Sequence, residues 1–180
     1  MEWALRRKDL AEAIRLDRGS APGGDEALPI AIGFAARGEM EAARSRLGSL
    51  PDELRRQIET GRITWVRWAD LGMVEALLGR KDEALRCARK AVELRPESHD
   101  PLRGPGSRAA LAFVHAWTGD KDAAIAEYAH LLRTPFGSMV RNRLDTGIHV
   151  MKVDPRYAPL RGDPRFEALL NDPKNNAPLF

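Results

Sequence analysis

Three segments of the chain repeat one pattern, and this internal repetition limits the possible fold more than any other feature. Each segment has an apolar stretch, then a glycine beside a charged residue, then a stretch rich in alanine and charge. The three glycines, Gly38, Gly79 and Gly119, lie 41 and 40 residues apart. Glycine readily takes the positive φ that ends a helix, and fixed periods of about 20 to 50 residues are typical of repeat arrays. The spacing predicts three helix–turn–helix units.

Composition favours helices throughout. Alanine, leucine, glutamate and arginine dominate the chain, and all four are strong helix formers. No segment alternates apolar and polar residues in the way that strands do. The sequence therefore predicts an all-α fold. Residues 1–25 are expected to form an N-terminal helix or half-repeat followed by a loop, because Gly19–Gly24 is rich in loop-forming residues.

Hydropathy and cysteine content bear on the cellular setting. The chain has 180 residues with a mean hydropathy of −0.41, and it lacks the long apolar run that a membrane span needs. Its N-terminus has no apolar stretch typical of a secretory signal. The single cysteine, Cys87, cannot form an internal disulfide, which fits a reducing compartment. We expect a cytoplasmic protein.

The second repeated segment carries the residues of a known motif. It has a tryptophan, a Leu-Gly pair, the turn glycine, small residues in the following helix and a closing proline. This pattern resembles the tetratricopeptide repeat, which implies antiparallel helix pairs stacked into a superhelix. The positions that carry the resemblance are Gly38 and Ala43 in the first segment, Trp68, Leu71, Gly72, Gly79, Ala84, Ala91 and Pro96 in the second, and Gly119, Ala124 and Tyr128 in the third.

The chain departs from the family's pattern at two kinds of place. Glu75 stands where the first helix usually has an aromatic residue, and Arg108 stands where the third copy would have tryptophan. In addition, a spacing near 40 exceeds the family period of about 34 residues. The excess indicates inserted segments, an extra short helix around residues 51–60 and a loop at residues 97–106.

The C-terminal region has its own short repeat. Asp154-Pro155-Arg156-Tyr157 recurs nine residues later as Asp163-Pro164-Arg165-Phe166. Aspartate before proline is a typical start of a helix. The stretch 160–170 resembles the end of repeat regions in bacterial signalling proteins, including repeat-bearing kinases, nucleotide cyclases and transcriptional activators. That resemblance implies a closing cap over residues 136–180, behind a repeat region at 26–135 whose three units span residues 26–60, 65–96 and 107–133.

The resemblance also implies a candidate binding face. First helices of such arrays line a concave side, and here that side is apolar. It suits a protein or peptide partner with hydrophobic anchors. Two alternatives remain open at this point: residues 136–170 fill the groove, or a second copy of the chain does, in a homodimer or a regulatory domain of a larger signalling protein. The predicted groove residues are Ile32, Ala36, Met73, Ala76, Leu77, Phe113, Ala116 and Trp117.

The sequence offers no catalytic, metal or cofactor site. Its histidines lack the spacing of metal ligands. Cys87 lies between two arginines, which would lower its pKa if it were exposed, but its place in a second helix predicts a packed position. We therefore expect a non-catalytic scaffold that binds a protein partner and needs no cofactor.

Arginine makes up 23 of the 29 basic residues, so nucleic-acid binding has to be considered. Arginines near aromatic residues can stack on bases. The candidates are Arg55, Arg56, Arg62 and Arg67, which lie near Trp65 and Trp68. Nearby acidic residues dilute their charge, so this face is a weaker alternative to protein binding.

Overall fold

The computed structural model describes residues 26–61, 65–134 and 146–176, and all regular structure in these ranges is helical. Residues 1–25, where an N-terminal helix was predicted, lie outside the described part. Three antiparallel helix pairs follow one another and are called hairpins 1, 2 and 3. Hairpin 1 is α1 (Ala27–Ala36) with α2 (Met40–Leu47), hairpin 2 is α4 (Trp65–Leu77) with α5 (Lys81–Leu94), and hairpin 3 is α6 (Gly104–Trp117) with α7 (Lys121–Leu131). The all-α prediction is confirmed.

The turns of the three hairpins share one hydrogen-bonding pattern. As predicted, their glycines have positive φ, which is +82° at Gly38, +79° at Gly79 and +89° at Gly119. In hairpin 2, Arg80 N donates to Glu75 O at 2.9 Å, and the turn glycine donates to Ala76 O at 3.0 Å. The same pair of bonds closes the other two turns. This is the Schellman motif, which satisfies the last carbonyls of a helix. The repeat inferred from sequence is therefore a repeat of backbone geometry.

Small residues bring α4 and α5 together. A Cβ atom on Gly72 would lie 3.1 Å from both Ala84 O and Ala88 N, which are backbone atoms of α5. Ala84 and Ala88 are themselves completely buried. The two helices thus approach so closely that even a methyl group at position 72 would require α5 to shift.

An additional helix, α3 (Leu50–Glu59), separates hairpins 1 and 2, in agreement with the short inserted helix predicted around residues 51–60. It packs on α4. The first helix of hairpin 3 begins at Gly104, three residues before the predicted start of that unit at 107. The Gly-Pro-Gly segment was interpreted as loop, but it forms the first turn of α6 and is buried. A Cβ on Gly104 would meet the backbone of Glu97 at 2.5 Å, so close packing requires this glycine.

The described C-terminal region consists of short helices. These are α8 (Ile148–Val153), a 3-10 helix (Pro155–Leu160), α9 (Pro164–Asn171) and α10 (Pro173–Asn176). Each Asp-Pro unit starts a helix as predicted, because Asp154 Oδ1 accepts from Arg156 N at 2.9 Å and Asp163 Oδ1 accepts from Arg165 N at 3.0 Å. Asp172 accepts from Lys174 N in the same way, a third copy at the same nine-residue interval.

Two apolar cores share helix α6. The first joins hairpins 1 and 2 to the face of α6 that carries Ala110, Phe113 and Val114. The second joins the opposite face of α6 to α7 and to the C-terminal helices, where Tyr157, Leu160, Phe166 and Leu170 are buried. The C-terminal region therefore closes the open end of the array. Within the described ranges, no helix has the length and apolar character needed to cross a bilayer.

The α4–α5 contact gives a first prediction. Replacing Gly72 by leucine puts a branched side chain where backbone atoms of α5 already lie within van der Waals distance, and overpacking of this kind is costly. We expect the free energy of unfolding, measured by urea denaturation, to fall by about 3 kcal/mol. Ala126→Leu, on the exposed side of α7, is the matched control and should change it by less than about 0.5 kcal/mol. Equal effects of the two substitutions would contradict the packing described here.

Candidate partner-binding face

Six of the eight predicted groove residues are buried in the interior of the molecule. Ile32, Met73, Ala76, Leu77 and Phe113 belong to the first core, where neighbouring hairpins pack against each other. The expectation that they line an open groove needs correction, because a first helix in the array contacts its own partner helix and also the adjacent hairpins. Those contacts bury its apolar surface.

Two of the remaining three groove residues lie at the second core. Ala116 is buried in that core, and Trp117 is half-buried and packs against both cores. Ala36, at the end of α1, is half-buried as well. The C-terminal region lies against the repeat at Ala116 and Trp117.

The occupant of the face is the 3-10 helix Pro155–Leu160, which we call the strap. Its main contacts are with α1 and α6, the first helices of hairpins 1 and 3. Tyr157 is 2% exposed and Leu160 is completely buried, so these two side chains are its apolar anchors. Tyr157 also lies against Tyr128 of α7, with ring centroids 5.1 Å apart. The chain's own C-terminal region thus covers part of α1 and α6.

Polar contacts fix the conformation of the strap. Trp117 Nε1 donates a hydrogen bond to Arg156 O at 2.9 Å, across 39 residues of sequence. The Arg156 guanidinium donates to both carboxylate oxygens of Asp154, each at 2.8 Å, and both side chains are mostly buried. Arg161 Nη2 donates to Asp154 O at 2.6 Å. Such two-point contacts between arginine and carboxylate are stronger and more directional than single hydrogen bonds.

The second Asp-Pro-Arg unit is docked on the other helix of hairpin 3. Arg165 pairs with Asp163 within the unit and with Asp122 of α7, at 2.5 Å. The hydrogen bonds from Arg165 lower the pKa of Asp163 to about 2. Phe166 is buried in the second core. One unit thus packs on α6 and its repeat lies against α7.

Glu75, the residue found in place of the family's aromatic, is a buried carboxylate with two arginine partners. Its side chain is 0% exposed and forms ion pairs with Arg55 of α3 and, at 3.0 Å, with Arg80 of the hairpin turn. Arg55 also pairs with Asp52 at 3.0 Å. The inserted helix is therefore attached to hairpin 2 by a charge that the family pattern lacks. The departure at position 75 was visible in the sequence, but its partner was not.

Arg108, the second departure, has an equivalent role at the inserted loop. It pairs with Glu97 of that loop at 3.1 Å and with Glu127 of α7. His130 Nε2 lies 2.9 Å from the Glu97 carboxylate. Burial raises the pKa of Glu97, but the hydrogen bonds from His130 and Arg108 outweigh it and keep that pKa below its usual value. The loop is thereby held against hairpin 3.

Cys87 is completely buried on α5, in the first core. Burial raises the pKa of its thiol to about 12, and the neighbouring Glu83 carboxylate adds to the rise. The thiolate is the reactive form of cysteine. This environment suppresses it, in line with the packed position that the sequence predicted.

The arginines proposed for nucleic-acid binding are largely engaged. Arg55 pairs with Glu75, Arg56 with Glu53, and Arg67 lies 3.6 Å from Asp70. Trp65 is buried against Gly106, and Trp68 lies 5.5 Å beneath the guanidinium of Arg86. Arg62 is outside the described residues. The three described arginines each have an acidic partner, which reduces the positive potential that phosphates would meet. Across the described residues, no group of three or more histidine, cysteine or acidic side chains is placed to hold a metal ion.

Comparison with known proteins agrees with this geometry in one part of the chain. Residues 66–98 match the family model described as tetratricopeptide repeat. The match covers α4 from its second residue, the turn, α5 and the residues that follow α5. No curated protein and no solved structure matches the chain.

The ion pair between Arg55 of α3 and the buried Glu75 leads to a prediction about stability. Arg55→Met leaves Glu75 buried with Arg80 alone, and we expect the free energy of unfolding to fall by about 2 kcal/mol, since a buried carboxylate loses a partner. Adding Glu75→Leu removes the buried charge and should restore most of that loss. Arg56→Met, which breaks an exposed pair with Glu53, is the control and should cost less than about 0.5 kcal/mol. A double variant less stable than Arg55→Met would contradict this account.

A second prediction concerns Cys87. At pH 8 a thiol with a pKa of about 12 is ionised to about one part in ten thousand, and its burial denies access to reagents. We expect Ellman's reagent to react with the native protein about a thousandfold more slowly than with the protein in concentrated urea. Because Cys87 is the sole cysteine of the chain, the absorbance reports this site alone. Rapid reaction of the native protein would show that α5 is not packed as described.

Proposed function

We propose that this chain, which carries a tetratricopeptide repeat at residues 66–98, is a non-catalytic protein–protein interaction module. Such repeats suggest interaction modules, and the suppressed thiol of Cys87 argues against the one nucleophile that the sequence offered. The unpaired cysteine is compatible with the reducing environment of the cytoplasm, where we place the module.

The observation that carries the proposal is the seating of the strap on first helices of the array. A 3-10 helix of six residues contacts α1 and α6, buries Tyr157 and Leu160, and receives a hydrogen bond from Trp117. Helical grooves that bind peptides use the same elements, namely buried anchors and a small number of directed polar contacts. We infer that the face recognises a short segment with an aromatic residue and a leucine three positions later, and that the chain supplies such a segment itself.

Intramolecular occupation affects how an external partner competes. A tethered segment has an effective concentration in the millimolar range, so an external segment of equal intrinsic affinity binds only weakly while the strap is seated. A partner must therefore offer more contacts than the strap does, or bind when the strap is released.

Self-association is a second candidate function, and the same contact supports it. If the strap of one chain is seated on α1 and α6 of another, the contacts are unchanged and a dimer results by exchange. Light scattering distinguishes the two candidates: exchange predicts a mass near twice 20.0 kDa, whereas intramolecular seating predicts the monomer.

Binding of the strap sequence in trans tests the proposal. A fluorescent peptide of residues 152–162 is titrated into the full chain and into the full-length Tyr157→Ala variant, whose own strap has lost an anchor. We expect saturable binding to the variant and binding at least about tenfold weaker to the wild-type chain, since the tethered strap competes. Trp117→Phe, which removes the N–H donor and leaves a smaller aromatic ring, is the variant to use if Tyr157→Ala fails to fold by circular dichroism.

The control peptide carries alanine in place of Tyr157 and Leu160 and should not bind either protein. We call the surface of α1 and α6 under the strap the first-helix face. If the folded variant binds neither peptide, or binds both equally, then the first-helix face does not recognise a strap-like segment. The module's binding surface would then have to lie elsewhere.

A further inference from the structure

The strap joins two hairpins that are not neighbours in the array. It contacts α1 of hairpin 1 and α6 of hairpin 3, whereas hairpin 2 lies between those hairpins in the chain. The first core already includes residues of both α1 and α6, with Phe113 and Val114 contributed by α6. The strap therefore adds a second physical connection between the first and the third unit.

Hairpin 1 depends on this connection more than hairpins 2 and 3 do. Hairpin 3 is held to hairpin 2 by extensive packing of α6 against both α4 and α5. Hairpin 1 touches hairpin 2 along a shorter stretch, through α4, and it is separated from it in the chain by α3. A large part of the contact that α1 makes outside its own hairpin is with the strap.

The strap is anchored mainly at its hairpin 3 end. Trp117 of α6 donates to its backbone at Arg156 O, and Tyr157 and Leu160 share a core with α6, α7 and α9. The Asp154–Arg156 pair is internal to the C-terminal region and fixes the shape of the segment before it reaches α1. The C-terminal region and hairpin 3 thus form one packed unit, and α1 rests on its edge.

We propose that the strap is a latch that couples hairpin 1 to hairpin 3, so that release of the strap frees hairpin 1 while hairpin 2 stays folded. Elements with few tertiary contacts open first in native proteins. A segment that supplies many of the tertiary contacts of such an element therefore determines how often it opens. The coupling is independent of any partner. Its consequence for binding, that freeing hairpin 1 uncovers the first-helix face, rests on the proposed function.

Hydrogen exchange read by mass spectrometry, on the full chain, tests the latch. Trp117→Phe removes the hydrogen bond to Arg156 O and leaves a smaller aromatic ring at this position of α6. We expect amide exchange to rise about fivefold, the factor that corresponds to one hydrogen bond, in the strap and in residues 27–47 together. Exchange in residues 65–94 should stay at the wild-type rate.

Trp68→Phe is the matched control, because this tryptophan is also half-buried but lies on α4 and stacks with Arg86. Its effect should stay within hairpin 2. Tyr157→Ala removes a strap anchor outright and should give the Trp117→Phe pattern with larger amplitude.

Two results would overturn the latch. In the first, the strap loses protection in either variant while residues 27–47 keep theirs, which means that hairpin 1 is held by other contacts. In the second, residues 65–94 lose protection to the same extent, which means that the variants destabilise the whole chain. Neither result depends on the peptide titration, so failure of the latch and failure of the proposed function are distinguishable.

Discussion

Helix α6 is the element on which the rest of the structure depends, because it supplies one wall to each of the two apolar cores. Phe113 and Val114 face hairpins 1 and 2, while Ala109, Ala112 and Ala116 face α7 and the C-terminal helices. A helix that is apolar around most of its circumference has to be buried on several sides. Here that requirement joins the repeat array to its cap, and it also explains why the groove predicted from the family pattern is closed.

Both departures from the repeat pattern meet an inserted segment. Glu75 takes the place of an aromatic residue and receives Arg55 from the inserted helix, and Arg108 takes the place of a tryptophan and receives Glu97 from the inserted loop. Residues that lengthen the period are thus attached to the array by ion pairs at positions where the family has aromatic residues. Partly buried ion pairs contribute little net stability, but loss of one partner is costly because it leaves the other charge unpaired.

The C-terminal region contains a second, shorter repeat. Three Asp-Pro steps at nine-residue intervals start three successive short helices, each with its aspartate accepting a backbone hydrogen bond. The first two carry buried aromatic residues, Tyr157 and Phe166, and they dock on α6 and α7 respectively. The cap therefore covers both helices of the terminal hairpin with one motif used twice, and its first copy reaches as far as α1.

Local signals in the sequence determined the helices, the three glycine turns, the inserted helix and the Asp-Pro caps, because each depends on residues within a few positions of one another. The start of α6 at Gly104 was mispredicted, and there the glycine packs closely on the backbone of Glu97. Burial of the predicted groove residues, the partners of Glu75 and Arg108, and the seating of the strap on α1 and α6 were decided by tertiary structure alone. These features join residues 11 to 39 or more positions apart, and the periodicity of one segment holds no information about which distant segment will cover it.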